Sequence, residues 1–101
     1  MIAEFSVFPV GKGVSLSQYV ARSISLVEKS GLPYKACPMG TTVEGDWDEV
    51  FALIKKCRDA IAADSERVIV NIKVDDRKGA TGRLSGKIES VEKKLGHDIN
   101  K

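Results

Sequence analysis

The chain has 101 residues, 43% of them hydrophobic and 30% charged, and its 16 Lys and Arg nearly balance 14 Asp and Glu to leave a net charge of +2. That length predicts a single domain over residues 1–101 with a modest core, and the near balance of charge excludes the broad cationic field by which nucleic acid or an anionic membrane is gripped. The opening MIAEFSVFPV has no basic stretch before its apolar run, which Glu4 and Ser6 interrupt. Neither a signal peptide nor a membrane span is therefore expected, and the protein is expected in the cytoplasm.

Residues Ile2 to Phe8 alternate, with Ala3, Phe5 and Val7 on one face and Ile2, Glu4, Ser6 and Phe8 on the other, which predicts a half-buried strand. After Gly11-Lys12-Gly13, Ser15 with Gln18 has the spacing of a capping box, and Leu16, Val20, Ile24 and Val27 make a helical stripe that Gly31 ends. Leu32 to Cys37 and Met39 to Glu44 are short extended runs around Pro38, expected to pair antiparallel. Asp46 and Glu49 repeat the capping pattern ahead of a second helix, Trp47 to Ala62, whose Val50, Phe51, Ile54, Cys57 and Ile61 recur at helical spacing. Arg67 to Val74 alternates as a last strand, with Val68, Val70, Ile72 and Val74 opposite Ile69, Asn71, Lys73 and Asp75. Thr81 is placed to cap a third helix carrying Leu84, Ile88, Val91 and Leu95, which Gly96 stops.

Strand, helix, strand, strand, helix, strand is the split βαβ order, so the fold class expected is α+β: a ferredoxin-like βαββαβ antiparallel sheet with two helices on one face and a C-terminal helix added. The first and third strands become central and the fourth lies beside the first. The helix-free face then presents Glu4, Ser6, Phe8, Ile69, Asn71, Lys73 and Asp75, joined by Thr42 and Glu44 if the third strand alternates regularly.

Glu4, Ser6, Asn71, Lys73 and Asp75 come from strands made neighbours by this topology, so their polar groups can converge on a small molecule; a solvated sheet face carries a similar mixture. The segment Met39 to Asp46 sets two glycines around two hydroxyls and a carboxylate, but it matches no phosphate loop, and Asp46 and Glu49 already occupy the helix start. Arg77, Lys78, Arg83 and Lys87, with Lys73, concentrate positive charge that suits an anion, although solvated loop and helix charges account for them first. Cys37 and Cys57 lack CxxC spacing and a nearby histidine, so free thiols and no metal site are expected. No nucleophile has an identifiable base, and His97, the one histidine, sits near the end of the sequence. Catalytic residues and cofactors are accordingly expected to be none. Nucleic-acid recognition on this fold needs stacking aromatics on the central strands, and Phe8 alone does not supply them.

The opening Ile2 to Pro9, the segment Met39-Gly40-Thr41-Thr42-Val43-Glu44-Gly45, and the run from Arg67-Val68 to Val74-Asp75-Asp76-Arg77 resemble the small thiamine-binding proteins, long known as an uncharacterised family and related to the repeated domains of the bacterial YkoF protein. The resemblance spans almost the whole chain. It implies a ferredoxin-like fold, self-association into sheet-paired dimers and tetramers, and binding of thiamine or its hydroxymethylpyrimidine part. Gly40, Thr41, Glu44, Asp75 and Arg77 match the family pattern. The ligand-binding set expected from residues and resemblance together is Glu4, Ser6, Thr41, Thr42, Glu44, Asn71, Lys73, Asp75 and Arg77. A non-catalytic binding protein is the function expected first, and an enzyme acting on a small phosphorylated or heterocyclic metabolite at a subunit interface second.

Overall fold

A computed structural model describes residues 1–101. In chain order the elements are β1 (Ile2–Pro9), α1 (Ser17–Ser30), β2 (Tyr34–Cys37), β3 (Gly40–Glu44), α2 (Trp47–Ala62), β4 (Val68–Asp75) and α3 (Arg83–Leu95). The four strands form one antiparallel sheet in the order β2-β3-β1-β4, the ferredoxin-like arrangement expected. β1 pairs with β4 along all eight residues, from Ile2 opposite Asp75 to Pro9 opposite Val68. Its pairing with β3 is shorter, from Ile2 opposite Glu44 to Phe5 opposite Thr41. Beyond Phe5, β1 has no β3 residue beside it.

Alternation sends Ala3, Phe5 and Val7 of β1 and Val43 of β3 under the helices. They pack against Val50, Leu53, Ile54, Cys57 and Ile61 of α2 and Tyr19 and Val27 of α1. Each large aliphatic side chain removed from water here contributes about 1.5–3 kcal/mol. A bidentate ion pair from Arg22 to Asp64, at 3.1 and 2.9 Å, ties α1 to the segment leaving α2, and the Arg22 guanidinium lies 5.0 Å from the centre of the Tyr19 ring.

The second helix starts as expected: the Asp46 N–H donates to Glu49 Oε1 at 3.2 Å. The other two starts differ. α1 takes Leu16 as its N-cap, so Ser15 lies outside the helix and Gln18 falls at the second helical position, too early for a capping box; the Ser15 hydroxyl meets only the Ser17 hydroxyl, at 3.5 Å. The α3 N-cap is Gly82, in the left-handed region at φ 64°, rather than Thr81. Its free amides are satisfied from another element: the Glu44 carboxylate accepts from the Arg83 N–H at 2.9 Å and the Leu84 N–H at 3.2 Å. The third helix is therefore more than an appended tail. It is docked on β3, with a second tether from Lys87 to Asp75.

On α1 the fully covered line is Tyr19, Ser23 and Val27. Of the apolar line expected from the sequence, Val27 belongs to this covered set, whereas Leu16, Val20 and Ile24 lie beside it and are less covered, with Val20 51% exposed. These side chains face a cavity.

Candidate functional site

The cavity occupies about 690 Å³ and opens where β1 outruns β3. One wall is the apolar line of α1, Leu16, Val20 and Ile24, together with Ser23. β1 contributes Glu4 through Phe8, and the β2–β3 hairpin contributes Ala36 through Thr41. Asn71, Ile72 and Lys73 of β4 complete it. Phe5, Val7 and Thr41 belong to the helix-covered face, whereas Glu4, Ser6 and Phe8 belong to the other, so the cavity reaches both faces of β1 around its unpaired end.

That position follows from the local sequence. Pro38 and Met39 form the hairpin turn, so β3 begins only at Gly40 and cannot accompany β1 further. Gly40 itself lies close against β1, where an added Cβ would stand 3.2 Å from the Phe5 carbonyl oxygen and 3.4 Å from Glu4 Cγ. A side chain at that position would crowd the approach to Glu4.

The polar groups divide by depth. Glu4, Asn71 and Lys73 are exposed and Ser6 half-buried. Glu4 stands opposite Lys73 in the β1–β4 register, and Asn71 Nδ2 donates to Ser6 Oγ at 3.4 Å. Deeper in the wall are two hydroxyls, Thr41 at 8% exposure and Ser23 at 9%. The Ser23 hydroxyl is buried with no hydrogen-bond partner. This geometry suits a molecule with an apolar body and a hydrogen-bonding, cationic or amphoteric end, since buried rings need apolar walls and charged ends need water or a counter-charge.

Of the nine residues expected to bind ligand, the cavity brings together Glu4, Ser6, Thr41, Asn71 and Lys73. Thr42 stands between Glu4 and Lys35 in the sheet register and does not line it. Glu44 is engaged by the α3 amides. Asp75 and Arg77 line a separate, smaller cavity of about 160 Å³ with Arg83 and Lys87. There the Lys87 ammonium, hydrogen-bonded to Asp75, holds that carboxyl below the usual carboxylate range. Of the lining residues with a hydroxyl or thiol side chain, two lie outside the expected set. Cys37 sits exposed at the hairpin end, and Ser23 was hidden because a serine within a helix gives no signal until the packing around it is known.

Cys57, by contrast, belongs to the core, where burial pushes its thiol pKa up and its Sγ lies 3.8 Å from the Ser23 carbonyl oxygen. No three His, Cys, Asp or Glu side chains cluster so as to hold a metal ion. No helix is long and apolar enough to cross a membrane.

The fold and the cavity beside its central strand define a small ferredoxin-like α+β protein. Residues 3–92 match the family model described as thiamine-binding protein, and the chain belongs to that family. It is 40% identical over 96 residues to a UPF0045 protein of Mycobacterium bovis, covering 94% of each chain. A UPF0045 protein of Methanocaldococcus jannaschii is 34% identical over 91 residues, covering 90% of this chain and 91% of the relative. A crystal structure of a Methanocaldococcus protein superposes with a TM-score of 0.83 at 34% identity, covering 89% of this chain and 93% of that one. A structure from Thermotoga maritima shares the fold with a TM-score of 0.78 at 21% identity, covering 89% and 96% of the two chains.

Proposed function

We propose that this chain binds thiamine, or its hydroxymethylpyrimidine part, without transforming it, as a single-domain protein of the cytoplasm that works as a homo-oligomer. The observation that carries this reading is the cavity of about 690 Å³ beside β1, apolar along α1 and polar at Glu4, Ser6, Asn71 and Lys73, in a chain of the thiamine-binding protein family. The Thermotoga relative is described provisionally as a thiamine biosynthesis/salvage protein, which agrees in subject. An aminopyrimidine has apolar ring faces and a hydrogen-bonding edge, so it fits between the α1 wall and the hydroxyls of Thr41 and Ser6. The thiazolium of thiamine is cationic, and Glu4 at the exposed end supplies the opposite charge. Lys73 faces Glu4 across the strands and would oppose a cation placed nearer β4, which favours a pose on the hairpin side.

Association is proposed on separate grounds. β4 is an edge strand whose helix-side residues Val70 and Ile72 are 37% and 41% exposed, and an open edge with apolar side chains is a template for pairing. A dimer or tetramer by light scattering at micromolar concentration is expected, and a monomer rejects this part. The second function, an enzyme acting on a phosphorylated metabolite, draws support from Arg77, Arg83 and Lys87 around the smaller cavity, where only Asp75 offsets them.

Calorimetric titration of both thiamine and hydroxymethylpyrimidine, with mass spectrometry of the recovered ligand, separates these readings. Saturable heat and an unchanged ligand mass are expected. No heat from either compound rejects the proposed ligand, and a changed mass favours the enzyme.

A further inference from the structure

Positive charge gathers where β4 hands over to α3, against what the helix itself favours. The Ala80 N–H donates to the Arg77 carbonyl oxygen at 3.1 Å, and Gly79 takes φ 75° within that turn, so the chain reverses between Arg77 and α3. α3 then opens on Arg83 with no acidic residue in its first turn, whereas α2 carries Asp48 and Glu49 there. A cation at a helix N-terminus opposes the dipole, and Arg83 and Lys87, four residues apart on one helix face, repel each other. Arg77, Arg83 and Lys87 all line the smaller cavity of about 160 Å³, where Asp75 is the one carboxylate. Lys87 is paired with Asp75, but Arg77 and Arg83 enter none of the chain's ion pairs, whereas Arg22 and Arg58 each have a carboxylate partner. The Asp75 carboxyl is held below its usual range chiefly by Lys87, with the charges of Arg83 and Arg77 acting the same way, so all three cations bear on one place.

We infer that the smaller cavity is a binding site for a compact oxyanion of the phosphate class, held by the Arg77 and Arg83 guanidiniums and by Lys87, for which the anion competes with Asp75. Three cations against one carboxylate leave two positive charges, which a phosphate dianion matches. Each guanidinium presents paired N–H donors to two oxygens of one anion. The Lys87–Asp75 pair is about half exposed, 48% and 54% at its two side chains, and such a pair contributes little, so Lys87 can exchange its partner readily. Glu44, the other carboxylate at the start of α3, is engaged by the Arg83 and Leu84 amides and does not line the cavity. No serine, threonine, cysteine or histidine lines it either, so the inference is of binding alone. It does not depend on whether the larger cavity takes thiamine.

The test titrates inorganic phosphate and methyl phosphate into the full chain at about pH 7.5, where phosphate groups are mostly dianions, and follows backbone amide NMR shifts. Chloride at equal ionic strength is the control. Saturating shifts at residues 75–87 in the millimolar range are expected from phosphate and not from chloride, and the tighter of the two phosphates tells a free ion from an ester. Arg77→Gln and Arg83→Gln should each weaken binding about threefold or more, and Asp75→Asn, which removes the competing carboxylate, should tighten it by a similar factor. Chloride reproducing the shifts, or no saturation with either phosphate, overturns the inference. So does an affinity left unchanged by both arginine substitutions, or one not raised in an Asp75→Asn protein whose α3 amides exchange at wild-type rates. Should Asp75→Asn loosen α3, Arg77→Gln alone decides, since Arg77 lies outside the helix and in no ion pair. Phosphate binding without any response to thiamine rejects the proposed ligand of the larger cavity alone, and thiamine binding without phosphate saturation rejects this site alone.

Discussion

Replacing Glu44 by glutamine should loosen one helix and leave the rest of the protein in place. The Glu44 carboxylate sits at the start of α3 and accepts from two of its backbone amides, Arg83 N–H at 2.9 Å and Leu84 N–H at 3.2 Å, in a partly buried setting. Both amides belong to the first turn, whose N–H groups have no partner within the helix. Glutamine keeps one carbonyl oxygen but turns an NH2 toward the second amide, and it removes the negative charge that favours a helix N-terminus. One charge-assisted bond and the dipole contribution together are worth about 1–2 kcal/mol. The other anchors of α3 persist: the Lys87–Asp75 pair, and the half-buried Leu84 and Ile88. The cost should therefore appear as easier local opening. Amide hydrogen exchange followed by mass spectrometry is expected to quicken in residues 84–95 by roughly five- to thirtyfold, while α1 and α2 keep their wild-type rates. Unchanged exchange in α3 would refute the capping argument. An equal acceleration in all three helices would refute the idea that α3 opens separately.

Three other outcomes follow from the packing and charges. Cys37 is exposed and Cys57 buried with its thiol pKa raised, so a disulfide-exchange reagent should titrate one thiol in the native protein and two after denaturation without reductant; none after denaturation would mean that a bridge had formed. Arg22 holds the Asp64 carboxyl below its ordinary range, Lys55 and Arg58 do so for Asp59, and Lys101 for Glu92. A depressed folded-state pKa means that the unfolded chain binds the proton first, so this stability is present above about pH 4 and is lost as pH falls through the folded values. Melting temperature should drop with acid, and Asp64→Asn should shallow that drop; an identical pH slope in the variant contradicts the assignment. Ile61→Ala, at a fully buried position of α2, should cost about 2–5 kcal/mol in urea unfolding, and a cost under about 1 kcal/mol would show that the core relaxes into the space.

Much of the fold was legible because its signals are local. The alternation in Ile2–Phe8 and Arg67–Val74, the Asp46–Glu49 box and the heptad-like spacing of Val50, Ile54, Cys57 and Ile61 each state their own structure within a few residues. Where a start or a face depended on a distant residue, local reasoning went astray. Thr81 sits in the expected place for a cap, yet Glu44, thirty-nine positions away from Arg83, takes that role. Of the expected stripe, Val27 enters the core whereas Leu16, Val20 and Ile24 line a cavity, and periodicity does not distinguish a cavity wall from a packed core. The same limit applies to the candidate site. Glu4, Ser6, Asn71 and Lys73 were readable as neighbours from strand order alone, whereas the cavity itself arises from β3 stopping at Gly40, and Ser23 belongs to a helix on the opposite face of the sheet from Glu4.

The central claim is that the ligand enters beside the unpaired end of β1. It is tested most directly by mapping backbone amide NMR shifts on the wild-type protein as hydroxymethylpyrimidine is added. Shifts concentrated at Glu4–Phe8, at Val20–Ile24 and at Gly40 and Thr41, saturating together with one affinity, are the predicted result. Shifts confined to Asp75, Arg77, Arg83 and Lys87 would place binding in the smaller basic cavity and contradict the account.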